Sequence, residues 1–139
     1  MATIWIKKMT KSIELVEEFH EKFGHPNSET INIHNEDLNE LRTKLISEEF
    51  IEFSDGLTER DPIEVLDGLL DLQYVLDGAF LALGFAKYKD AGLDEIHASN
   101  MSKLGKDGLP IYRDDGKIMK GPDYFKPDIA GIMALVDES

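Results

Sequence analysis

Two acidic clusters interrupt otherwise apolar helical sequence, and a chain that carries them has few ways to fold. Glu48, Glu49 and Glu52 lie in the run SEEFIEF, and Glu64, Asp67 and Asp71 lie in EVLDGLLDLQYV. Carboxylates three or four positions apart share one face of a helix, and their neighbours are rich enough in Leu, Ile, Phe and Val to form core. Taking charge out of water is costly, so acids facing into a helix bundle need a bound cation or a ring of basic partners. A divalent metal is the simplest compensation. A single Glu on a helix is ordinarily solvated. That reading fits the two clusters together poorly, because Asp67 and Asp71 are weak helix formers set among Leu66, Leu69, Leu70, Leu72, Tyr74, Val75 and Leu76.

The chain has 139 residues, which suits a single domain over 1–139. A formal charge of -13 argues against binding a nucleic-acid polymer, although an acidic protein can still bind nucleotides through a metal. The absence of cysteine excludes disulfides, thiolate zinc sites and a cysteine nucleophile. No apolar run reaches the length of a membrane span or a secretory leader, so the expected location is cytoplasmic, away from membranes.

The patterning predicts an all-α protein with an antiparallel four-helix-bundle core and an irregular C-terminal tail. TIWIKK opens the chain as a short strand or ordered arm. A first helix spans Ser12 to Phe23, with Ile13, Val16, Phe19 and Phe23 on its apolar side, and Gly24 and Pro26 stop it. A second begins at Asn35 or Glu36, buries Leu38, Leu41, Leu45 and Phe53, and ends near Gly56. Asp61-Pro62-Ile63-Glu64 starts a third, with Asp61 as N-cap, Pro62 at the first helical position and Glu64 placed to complete a capping box. This helix runs to about Leu83, before Gly84. Its apolar residues cover more faces than a lone bundle needs, which implies a partner subunit that covers the excess. A fourth helix covers about Ala91 to Lys103. From about 104 onward the chain is crowded with Gly, Pro and Asp, and the pairs Asp107-Gly108 and Asp115-Gly116 suggest a small hairpin.

The short loop between the second and third helices forces them antiparallel, so their acidic stripes can face a common volume. Oxygen ligands from two helices suit a hard cation, Mg2+ or Mn2+, better than zinc or iron, since neither cluster holds Cys, His or a Glu-x-x-His spacing. Glu64 serves equally well as metal ligand or as cap partner. No phosphate-cradling glycine loop, dinucleotide fingerprint or nucleophile elbow is present.

These residues resemble the all-α NTP pyrophosphohydrolases, the MazG-like and phosphoribosyl-ATP pyrophosphohydrolase group. Its E-E-x-x-E signature is matched by Glu48, Glu49 and Glu52, and its E-x-x-D by Glu64 and Asp67 after a gap of 11 residues. A second alignment uses Asp67 and Asp71. The stretch EIHASNMSKLGKDGLPIYRDDGKIMKGPDYFKPD also resembles the tail of a phosphoribosyl-ATP pyrophosphohydrolase-like subgroup. The resemblance implies a metal-dependent enzyme that splits a nucleoside triphosphate into a monophosphate and pyrophosphate and works as a homodimer or homotetramer. It implies metal ligation by Glu49, Glu52 and Asp67, with Glu64 and Asp71 as further ligands, and Glu48 orienting the attacking water. Asn100 and Lys103 match an S-N-x-x-K stretch and, with Lys117, Lys120 and Tyr124, are expected to bind substrate. Phe19 and His20 are candidates for stacking on a base, with Phe19 favoured as core, and His97 reads as structural. Rival expectations are an inactive metal-binding helical module and phosphoribosyl-ATP hydrolysis in histidine synthesis, the latter ranked below a broader nucleotide role because of the long tail and extra first helix.

Overall fold

A computed structural model describes residues 11–139, so the TIWIKK segment lies outside the described residues. These residues are all-α, with five α-helices, a single 3-10 turn and no strand. They fall into two compact units, one up to Ala86 and one from Lys87 to Ser139. None of the described helices is by itself long and apolar enough to cross a membrane.

The first unit holds α1 (Ser12–Phe23), α2 (Glu36–Glu59) and α3 (Pro62–Leu83), with α1 and α2 both packed on α3. Each boundary has a local cause. Gly24 closes α1 in the left-handed conformation at φ 78°. The Asn35 side chain accepts the Leu38 amide at 3.1 Å and starts α2, which runs three residues beyond the expected Gly56 before Arg60 turns the chain. Asp61 caps α3 by accepting the amides of Ile63 at 3.0 Å and Glu64 at 3.3 Å. The expected capping box is only half formed, since the Asp61 amide donates to the Gly56 carbonyl at 3.1 Å instead of to Glu64. On α1 the buried residues are Val16 and His20, one turn apart; Phe19, expected in the core, is exposed. The link after α1 straps the far end of α3. The Ser28 and Asn32 amides donate to the carbonyls of Leu81 and Leu83, both at 2.9 Å, filling acceptors a helix end leaves open.

α2 and α3 run antiparallel, as expected: going down α2 from Gly56 through Phe53 to Arg42, the neighbours on α3 climb from Glu64 through Gly68 to Gly78. Gly68 lets the two backbones touch. A Cβ built there would lie 2.8 Å from Phe53 Cα, closer than real carbon atoms approach.

The 3-10 turn Ala86–Tyr88 begins at the last residue of the first unit and leads into α4 (Lys89–Met101) of the second, two residues ahead of the expected start. The chain after it is not irregular to its end. Ile129–Glu138 forms α5, which packs on α4. Its apolar residues Ile129, Ile132, Met133 and Val136 recur at helical spacing, and Asp128 caps it by accepting the Gly131 amide at 2.9 Å. The Tyr88 hydroxyl donates to Asp137 at 2.7 Å, fastening α5 to the start of α4. The expected hairpin is reduced to one antiparallel bridge, Tyr112 with Ile118, around a turn at Gly116 with φ 87°.

The contact at Gly68 yields a stability prediction. Replacing helical Gly by Ala normally stabilises by up to about 1 kcal/mol, and Gly92→Ala, with open space around it, should behave so. Gly68→Ala should instead destabilise the fold by roughly 1–3 kcal/mol through overpacking and so lower Tm. Thermal melts followed by circular dichroism decide; a Gly68→Ala protein as stable as Gly92→Ala would disprove the close approach.

Candidate active site

The antiparallel register brings acids from both helices to one place. Glu49 and Glu52 from α2 and Asp71 from α3 each offer a carboxylate oxygen within 4.8 Å of the other two. Glu49 and Asp71 are half-buried and Glu52 is exposed. One oxygen of Glu49, Oε2, is buried without a hydrogen-bond partner. Burial, then the hydrogen bond and charge of Glu52, then the charges of Asp71 and Glu48, push the Glu49 carboxyl up to about 7. Burial also raises Asp71, helped by the charges of Asp67 and Glu52. Such a site holds more negative charge than its own residues can offset. An all-carboxylate donor set from two helices, with one orphaned buried oxygen, fits a hard divalent cation.

The remaining acids surround this trio. Asp67 is exposed one turn before Asp71. Glu48 is exposed, with Lys44 Nζ 3.9 Å from its Oε1. Glu64 is exposed and set apart, seven residues and about 10 Å along α3 from Asp71. Within the second unit, the tail returns to the end of α4. The Ser99 hydroxyl donates to the Phe125 carbonyl at 2.9 Å, and the Phe125 amide donates to Ser102 Oγ at 3.1 Å. Gly121 lies against the carbonyls of Lys103 and Leu104. Lys103 is thereby brought near the segment bearing Lys120 and Tyr124, where Lys120 Nζ sits 4.8 Å from the Tyr124 ring centroid. Asn100 and Lys117 are exposed, as is His97.

A cavity of about 330 Å3 runs along the α1, α2 and α3 surfaces, from Glu49 and Asp71 at one end to Arg42, His20 and His25 at the other. Arg42 is only 4 % exposed. Its Nη2 donates to His25 Nδ1 at 3.0 Å, which leaves His25 with its hydrogen on Nε2. His20 Nδ1 donates to the Pro26 carbonyl at 2.9 Å, and burial chiefly lowers the His20 pKa, favouring the neutral ring. Phe19 stacks on Phe23 and His25 and meets Tyr74 edge-on. Sequence reasoning missed Arg42 and His25. The signal was there for Arg42, because Leu38, Arg42, Leu45 and Glu49 follow one another at helical spacing on a single stripe. It also missed Asp77, fully buried on α3, which accepts from Ser12 Oγ at 2.6 Å and Gln73 Nε2 at 3.2 Å.

The Glu49 carboxyl makes the metal-free protein pH-sensitive. Its folded pKa lies above its ordinary value of 4.5, so the folded chain holds the extra proton and this contribution to stability is lost as pH rises through about 7. In chelator, Tm should fall between pH 5.5 and 8 by several degrees more in the parent than in Glu49→Gln, and Mg2+ should restore it. Equal losses in the two proteins would contradict the shift.

The sequence profile of a family described as phosphoribosyl-ATP pyrophosphohydrolase matches residues 16–100, more than half of the chain. No curated protein matches. Among solved structures, a candidate NTP pyrophosphohydrolase from Exiguobacterium sp. 255-15 is similar at 20 % identity over 94 % of this chain and 98 % of that one. The TM-score is 0.33, below what establishes a shared fold. From the profile match, the chain belongs to the phosphoribosyl-ATP pyrophosphohydrolase family and is a hydrolase of phosphoric anhydrides.

Proposed function

We propose that the chain is a divalent-cation-dependent NTP pyrophosphohydrolase that cleaves the α-β linkage of a nucleotide, giving NMP or dNMP and pyrophosphate, and acts on the nucleotide pool. The observation that supports this most is the buried, unpartnered Glu49 oxygen beside Glu52 and Asp71. In this reading Glu49, Glu52 and Asp71 would hold Mg2+ or Mn2+, with Asp67 adjoining and Glu64 outside. The cation, when bound, offsets phosphate charge and lowers the pKa of water. Glu48 lies outside the trio on the same helix, where its carboxylate orients the attacking water and takes its proton. The water oxygen bonds to the α-phosphorus in line as the bond to the bridging oxygen breaks, and pyrophosphate departs with that electron pair. Asn100, Lys103, Lys117, Lys120 and Tyr124 are proposed to hold sugar and phosphates.

We propose homo-oligomerisation as well. Ile63, Leu66 and Leu70 form a stripe on α3 that is 77 %, 57 % and 61 % exposed in the protomer. Helical spacing places the three on one face, and an apolar stripe this open calls for a partner surface.

Pyrophosphate release from a panel of nucleoside triphosphates and phosphoribosyl-ATP, with and without chelator, tests the activity. Release should require the divalent cation and fall by about a hundredfold or more in Glu49→Ala and Asp71→Ala. No release from any substrate, or undiminished release by both variants, would favour a non-catalytic metal-binding module.

Light scattering should give a parent mass at least twice the 15.7 kDa of one chain, and a protomer-sized mass for Leu66→Glu/Leu70→Glu. A protomer-sized parent would refute the oligomer.

A further inference from the structure

The end of the cavity away from the acids presents two imidazoles whose hydrogen-bonding roles are fixed from behind. His20 Nδ1 faces two acceptors, the Pro26 carbonyl at 2.9 Å and Asn27 Oδ1 at 3.1 Å. Asn27 is held in that orientation by its own amide nitrogen, which donates to the Glu17 carbonyl at 3.1 Å. The ring hydrogen of His20 therefore sits on Nδ1. Burial is the largest influence on this ring and lowers its pKa, and the Arg42 charge adds to the effect, so the ring stays neutral and Nε2 is a bare acceptor. His25 is set the other way: its Nδ1 accepts from Arg42 Nη2 at 3.0 Å, which leaves its hydrogen on Nε2 as a donor.

Both rings line the cavity, with centroids 5.3 Å apart. Arg42 acts here only as framework, because its Nε is sealed from solvent and its Nη2 is engaged by His25. His20 differs. Its Nε2 makes no hydrogen bond among the described residues and yet is not one of their sealed, unpartnered atoms, so the 2 % of His20 left open includes this nitrogen. Gly78 keeps the approach clear, since a Cβ there would lie 3.3 Å from Nε2. An acceptor and a donor thus stand side by side, next to Phe19 and Tyr74, whose ring centroids are 5.8 Å apart. A phosphate brings acceptors and meets the His20 lone pair, whereas a flat ring with a neighbouring donor and acceptor on one edge satisfies both imidazoles. Arg42 precedes Glu49 by seven residues on α2, and Gly78 follows Asp71 by seven on α3, so this end sits about 10 Å from the acids along both helices. That separation suits a base whose α-phosphate lies at the acids.

We propose that this end of the cavity is a nucleobase pocket that reads a mixed edge, with His20 Nε2 accepting a hydrogen from the base and His25 Nε2–H donating to the base atom beside it. The inference rests on the nucleotide-hydrolase reading for its ligand class. Adenine and cytosine satisfy the pair with an amino group and a ring nitrogen, and hypoxanthine and uracil satisfy it with a ring N–H and a carbonyl. The pair therefore does not choose between amino and carbonyl bases. It rejects a ring that offers acceptors alone, because His20 Nε2 then faces a lone pair.

The decisive probes are the monophosphates of purine riboside and of pyrimidin-2-one riboside, which keep the shape of natural bases and lack the donor. Calorimetry on the full chain in Mg2+ compares the first with AMP and IMP and the second with CMP and UMP, and it needs no turnover. In each ring class that binds, the tighter natural nucleotide should exceed its unsubstituted counterpart by about tenfold or more. His20→Asn, whose amide nitrogen replaces Nδ1 and leaves no acceptor at Nε2, should narrow that ratio to about threefold or less. With isotope-labelled histidine, the unprotonated nitrogen of His20 should shift upfield in nitrogen NMR when the natural nucleotide binds and stay in place with the unsubstituted one. An unsubstituted ring that binds as tightly as its natural counterparts overturns the pocket, as does a ratio that survives in a folded His20→Asn protein, an unmoved His20 resonance, or binding of none of the nucleotides. Should His20→Asn fail to fold, the parent ratios and the resonance decide. Absence of hydrolysis with the ratio intact would remove the proposed enzyme activity and leave the pocket standing, and hydrolysis without the ratio would do the reverse.

Discussion

The opposition of Glu49 and Asp71 across the contact of α2 and α3 is the constraint around which the first unit is arranged. Two like charges are held together where water is partly excluded, and the helices meet there because backbone meets backbone at Gly68. Neutral side chains at the two positions would pack with less electrostatic cost. The acids are tolerable either protonated, as the raised Glu49 carboxyl is near neutral pH, or neutralised by a cation. Fold and chemistry are thus coupled at one point: the interface that orders the helices also carries the strain that a divalent ion would relieve.

Much of this was legible because helices advertise themselves by period and punctuation. The span of α1, the Asp61-Pro62 start of α3 and its stop at Gly84 follow from residues with single-purpose backbone chemistry. The acidic clusters were equally plain, since charge within an apolar run has few explanations. Which acids converge was not. Glu49, Glu52, Glu64, Asp67 and Asp71 all satisfy helical spacing, and only the rotation of α2 against α3 brings three of them within reach and leaves Glu64 outside.

The remaining surprises have one physical origin, which is that polar residues were discounted as core. His20 rather than Phe19 is buried on α1, and Arg42 and Asp77 are buried on α2 and α3. Their environment comes from distant parts of the chain: Pro26 for His20, His25 for Arg42 and Ser12 for Asp77. A local pattern cannot supply such partners. The helix α5 was hidden differently, by the turn-rich stretch before it, although Asp128 and the following apolar spacing were sufficient to mark it.

The strap after α1 has a consequence of its own. Ser28 and Asn32 close off the last carbonyls of α3, and the same short segment begins at His25, which touches Arg42. Ordinary helix ends fray independently of what surrounds them. Here the end of α3 cannot unwind without releasing the strap that carries His25. Local melting of that helix end and loosening of the cavity wall are therefore one event, and any nucleotide held against the wall would act, from a distance along the chain, as a clasp on the helix terminus.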